Sequence, residues 1–212
     1  TENTFQASDG STLSYWLYTP ENAAPGMPML LYLHGGTGRG TDLELVMDGG
    51  FPKYLRDGLL RDVPAYIVMP QLTTGRWSDR VDTVYALVSE LATQFQIDPA
   101  SISLTGHSLG GSGAWELAAA FPGFFSRVAP LSGAVFPTEE NLAALSQTEV
   151  WAFVGSADTI IEPEYSLEFA QQLEVTGGNV TVTVLEGADH FDVPGLAYLN
   201  EDYGLLEWLI GK

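Results

Sequence analysis

Ser108 stands in Gly106-His107-Ser108-Leu109-Gly110, between a β-type run, Ser101 to Thr105, and an apolar helix-like stretch, Ala114 to Phe121. A serine held at a tight turn between strand and helix is pushed out of the sheet toward solvent. Glycines two residues before and after it keep Cβ atoms out of a crowded backbone. The helix that begins there aims its free N–H groups and its dipole at developing negative charge. Such a hydroxyl is a candidate nucleophile, though a weak one until a neighbour takes its proton.

Histidine suits that task near neutral pH. The chain has three: His34, His107 and His190. His107 adjoins the serine, and at a sharp turn its side chain should point away. His34 ends a buried apolar run and precedes Gly35-Gly36, so it should order that loop. His190, in Gly187-Ala188-Asp189-His190-Phe191, follows the last strand-like segment and is the candidate base. The base needs a buried acid to fix its tautomer and stabilise the imidazolium. Asp158 comes just past the strand-like Val150 to Val154, between the serine and the histidine, in the chain order expected for this kind of turn. Glu162 is the main rival, with Asp189 and Asp192 behind it.

A tetrahedral oxyanion needs preorganised N–H donors. The backbone of Leu109 should supply one. The other should come from His34-Gly35-Gly36-Thr37-Gly38-Arg39-Gly40, from Gly36 or Thr37. Together these groups imply acyl transfer. The same glycine-rich loop fits neither Gly-x-Gly-x-x-Gly nor Gly-x-x-x-x-Gly-Lys, so no nucleotide cofactor is expected. With no cysteine and no His-Glu-x-x-His, no metal is expected either.

These residues need a sheet edge to bring them together. Short apolar runs at Met29 to Leu33, Ala65 to Met69, Ser101 to Thr105, Arg127 to Leu131 and Val150 to Val154 read as buried parallel strands, and Val180 to Leu185 as a last one. Residues 4–8 and 11–19 read as a hairpin turning at Asp9-Gly10. Helices are expected over 51–60, 80–95, 163–175 and 203–210, with a short one over 141–147. Alternating strands and helices imply an α/β fold: a mostly parallel central sheet with helices on both faces, with sites at the carboxyl ends of the strands. No linker divides residues 1–212, so one domain is expected.

Composition bounds the partners. Asp and Glu number 27 against eight Lys and Arg, a formal net charge of −19. Nucleic acid and anionic membranes are then poor partners, and neutral small molecules better ones. The charge fits salt adaptation and an ordinary acidic soluble enzyme equally. No apolar run is long enough to span a membrane, and Thr1-Glu2-Asn3-Thr4 does not look like a signal peptide. A soluble protein is expected, cytoplasmic or secreted after processing.

The chain resembles the α/β-hydrolases, and within them the compact carboxylesterases grouped with feruloyl-esterase-like and polyhydroxybutyrate-depolymerase-like proteins and predicted peptidases. The resemblance is carried by Leu31 to Gly36, Met69-Pro70-Gln71 with Trp77 beyond, Ile97-Asp98-Pro99, Thr105 to Gly111, Trp151 to Asp158 and Gly187 to His190. It implies Ser108 as nucleophile, His190 as base and Asp158 as acid, acting on an ester, and Trp77 lining the cleft. His107 joins Trp77 as a candidate substrate-binding residue. Only Gly133 to Glu149 is available for a lid, so the site should be shallow, with little or no cap, and selective for short acyl chains. A polysaccharide esterase, a peptidase and a non-catalytic protein on the same fold are the alternatives.

Overall fold

The computed structural model describes all 212 residues. Eight strands form one sheet in the order β1-β2-β4-β3-β5-β6-β7-β8. They are β1 (Glu2–Gln6), β2 (Thr12–Tyr18), β3 (Met29–Leu33), β4 (Tyr66–Pro70), β5 (Ile102–His107), β6 (Arg127–Leu131), β7 (Glu149–Gly155) and β8 (Val180–Leu185). The β1–β2 hairpin and the β2–β4 pair are antiparallel, and every pair from β4 to β8 is parallel. The mostly parallel sheet expected from the sequence is therefore present.

The continuous apolar strands follow from burial on both faces. Met29, Leu31 and Leu33 of β3 enter one core cluster, while Leu30 and Tyr32 enter the other. The first core lies under α2 (Val81–Gln94), α3 (Leu109–Ala120) and α5 (Glu164–Val175), anchored by Leu87, Trp115 and Phe169. The second lies under α1 (Gly50–Arg56), α6 (Asp192–Tyr198) and α7 (Leu205–Leu209), around Phe51, Tyr198 and Leu209. The short α4 (Glu139–Leu145) is the one helix in the segment available for a lid. No helix is long and apolar enough to cross a membrane.

Two departures from the expected elements bear on the site. The glycine-rich stretch after β3 is not plain loop: it carries 3-10 turns at Gly36–Gly38 and Leu43–Asp48. Helix α6 is not among the expected elements, and it contains Pro194 and Gly195, both poor helix formers. Pro194 is the third residue of α6, inside the first turn, where its missing N–H has no intrahelical partner to lose.

Candidate active site

The carboxyl ends of β3, β5, β7 and β8 converge on one edge of the sheet. Ser108 follows β5 as the cap of α3, with φ 59° and ψ −119°. That is a strained, left-handed backbone for a residue with a Cβ. It is held by Ser108 N–H donating to Leu131 O (3.0 Å) and Ser108 O accepting from Ser112 N–H (2.9 Å). The flanking glycines are demanded by contact. A Cβ at Gly106 would lie 2.4 Å from Gly110 O, and one at Gly110 only 1.8 Å from Leu33 O. The sharp turn thus packs directly on the end of β3, which brings the loop after β3 beside the serine.

Asp158 and His190 lie across the edge from Ser108. His190 Nδ1 donates to Asp158 Oδ2 at 2.7 Å, and both side chains are almost fully buried. Asp158 Oδ1 accepts from Ile160 N–H (2.9 Å) and Ile161 N–H (3.0 Å). Burial alone would raise this carboxyl. The Ile161 N–H, the His190 ring and the Ile160 N–H together outweigh burial and hold it below the ordinary carboxylate value. The rivals are engaged elsewhere or point out. Asp189 caps Phe191 N–H and Asp192 N–H, Asp192 accepts from Asp189 N–H, and Glu162 is exposed. The loops that carry Asp158 and His190 are stitched together by Ala157 N–H to Ala188 O (3.0 Å) and Gly187 N–H to Ser156 Oγ (2.8 Å). Because Nδ1 is committed to Asp158, Nε2 is the free nitrogen of His190.

Ser108, His190 and His107 line one cavity of about 300 Å³, together with Gly36 and Thr37. Tyr54, Val46, Ile160 and Phe191 give this lobe an apolar wall; Phe191 and Ile160 stand 70% and 58% exposed at its mouth. On the other side of Ser108 a second lobe of about 360 Å³ is lined by Leu109, Ser112, Arg39, Arg76 and Glu116. Burial pushes the Glu116 carboxyl up, with Arg76 opposing. This charged lobe was missed from sequence. The available signal was that two of only eight basic residues follow the ends of β3 and β4.

His34 orders the loop after β3, as expected. Its Nε2 accepts from Leu72 N–H (2.9 Å), so the proton sits on Nδ1, which donates to Gly35 O (2.6 Å). Burial holds its pKa down to about 4, so the ring is neutral. Gly35 O also accepts from Gly38 N–H. In a planar trans peptide the N–H points opposite to the C=O, so fixing Gly35 O fixes the direction of Gly36 N–H. Arg39 holds Gly36 O in the same way and so fixes Thr37 N–H. Leu109, first residue of α3, has no intrahelical acceptor for its own N–H.

Trp77 is a correction. It lines neither lobe: it is 1% exposed, donates from Nε1 to His34 O (3.1 Å), and sets its ring edge-on to the His34 ring at 5.0 Å. It lies on Gly113 of α3, where a Cβ would be 2.6 Å from its side chain. A large indole in this loop gains more from burial than from standing in the cleft, so Trp77 buttresses the loop from beneath. His107 does line the cleft, and its ring is tilted against that of His190 at 4.6 Å.

Comparisons with known proteins fit this geometry. A comparison with curated proteins finds no match. Among solved structures, a thermostable esterase is 24% identical with a TM-score of 0.83; it covers all of this chain, which spans only 62% of that one. The feruloyl esterase module of Clostridium thermocellum, solved with sinapinate, is 15% identical with a TM-score of 0.72, covering 98% of this chain and 86% of its own. A puromycin-hydrolyzing peptidase of Mycobacterium tuberculosis is 17% identical with a TM-score of 0.76, covering 100% of this chain and 39% of its own. At these identities the likeness establishes the fold. The family is given by the sequence itself: residues 54–196, more than half the chain and including Ser108, Asp158 and His190, match the dienelactone hydrolase family, and the protein belongs to that family of α/β-hydrolases.

Proposed function

We propose that the protein is a serine hydrolase of carboxylic esters with short acyl chains, working through Ser108, His190 and Asp158. The observation that carries this is the buried His190–Asp158 hydrogen bond of 2.7 Å on a ring that shares one cavity with a strained, outward-turned Ser108. Ser108 Oγ attacks the ester carbonyl while His190 Nε2 takes its proton. The oxyanion is held by the N–H of Leu109 and by that of Gly36 or Thr37; Gly36 is preferred because it borders both lobes. His190 then gives the proton to the departing alcohol. Water, deprotonated by the same nitrogen, releases the acid from Ser108. Asp158 stays ionised throughout, keeping the imidazole in the Nδ1–H tautomer and stabilising the imidazolium.

Fluorophosphonate labelling and p-nitrophenyl ester turnover test the reading. Ser108→Ala should abolish labelling and lower turnover by about 10⁴-fold or more while melting like the wild type. Retention of substantial activity would remove the assignment. The small apolar lobe predicts acetyl and butyryl esters well ahead of palmitoyl; equal rates for all three would refute the short-chain selectivity. A second reading, an esterase of acylated polysaccharide, is supported by the charged lobe, whose arginines and carboxylate suit a hydroxyl-rich leaving group. Turnover of acetyl-xylan at rates matching the simple esters would select it.

A further inference from the structure

We infer that His107 is a positioning residue that holds the backbone of the base His190 in register with Ser108. The inference rests on the triad reading above and concerns how its base is kept in place.

Two observations meet here. The first is a hydrogen bond between His107 Nε2 and His190 O at 2.8 Å. A carbonyl accepts only, so Nε2 carries the proton and His107 is the donor. The second is what the His190 carbonyl otherwise lacks. His190 lies two residues before α6, and a helical bond to its carbonyl would come from the N–H of residue 194. That residue is Pro194, which has no N–H. The start of α6 therefore offers this carbonyl nothing from that position, and the side chain next to the nucleophile supplies the donor instead. One turn after β5 thus carries both the nucleophile and the clip for its base.

The clip also has to be uncharged. The two rings lie 4.6 Å apart. A cationic His107 would oppose the imidazolium that His190 becomes during the reaction. Burial, reinforced by the neighbouring His190, holds the His107 pKa down to about 4, so the ring is neutral where the enzyme would work. Misplacing a reacting group by about 1 Å costs on the order of 10²-fold in rate, which sets the scale of the effect.

The test compares His107→Gln, whose amide nitrogen reaches about as far as Nε2, with His107→Phe, which keeps a ring and loses the donor. On p-nitrophenyl acetate, His107→Phe should lose roughly 10- to 100-fold in kcat with KM within about threefold of wild type. His107→Gln should stay within about fivefold in kcat. The low-field proton resonance of the His190 Nδ1–H should remain sharp in wild type and His107→Gln and broaden in His107→Phe. If His107→Phe does not fold, His107→Leu takes its place. Wild-type kcat in the donor-free variant, equal losses in both variants, or a loss confined to KM would each overturn the inference; the last would make His107 a substrate contact. Failure of the triad reading looks different: the wild type itself would then not react with the fluorophosphonate.

Discussion

His34 makes the residue-scale case that a buried neutral histidine does structural work with a pH signature. Its ring accepts from Leu72 N–H and donates to Gly35 O, a pattern only the neutral Nδ1–H tautomer can make. Its pKa is lowered from 6.5 to about 4 by burial, so the unfolded chain takes up a proton that the folded one refuses. The stability this provides is complete above about pH 6.5 and is lost as pH falls toward about 4. It amounts to on the order of 3 kcal/mol over that window. Urea unfolding between pH 7 and 5, where ordinary carboxylates stay ionised, should show stability falling with pH. His34→Asn, less stable at pH 7, should show a shallower fall. A wild-type curve flat across that range would contradict the neutral, doubly bonded ring.

At the scale of elements, the strand–turn–helix unit of β5 and α3 is wedged against the ends of its neighbours. A Cβ at Gly110 would meet the carbonyl of Leu33 at 1.8 Å, and that backbone belongs to the sheet centre and cannot swing aside as a flexible side chain would. Gly110→Ala should therefore lose about 3 kcal/mol or more in urea unfolding, a core-overpacking cost. A loss under about 1 kcal/mol would show that the turn is looser than described. The loop after β3 is built from the other side by Trp77 and Gln71. Gln71 Nε2 donates to Gly38 O (2.9 Å) and to Asp42 O (2.6 Å). The loop proposed to supply the second oxyanion donor is thus held by buried groups from the segment after β4. Gln71 and Trp77, which carry part of the resemblance, pack beneath the loop rather than in the cleft.

The whole molecule is dominated by its charge of −19. Few of its ion pairs offset this, and those between Arg56, Lys53 and their aspartates are surface pairs worth little. Self-repulsion should therefore matter most at low ionic strength, where the screening length is roughly 30 Å at about 0.01 M against roughly 10 Å at about 0.1 M. The melting temperature should rise between about 0.01 and 0.2 M NaCl; a flat or falling trend would remove the repulsion argument. A continued rise at molar salt would select salt adaptation, and a plateau the ordinary acidic enzyme.

The sequence by itself determined the sheet strands, the Gly-x-Ser-x-Gly turn and the order of Ser108, Asp158 and His190. Each of these is written locally, in the continuous apolar runs that burial on both faces of a sheet requires and in turn residues with short-range steric causes. Moving Trp77 from the cleft to the floor beneath His34, gathering Arg39, Arg76 and Glu116 into one lobe, and turning the His107 ring toward His190 were left to the tertiary structure. Those outcomes depend on which groups meet from elements far apart in the chain, and burial and hydrogen-bond pairing across such distances leave no pattern along it. Helix α6 belongs with them: Pro194 reads as a breaker until the fold places it in a first turn, where the missing N–H costs the helix nothing and leaves the His190 carbonyl for His107.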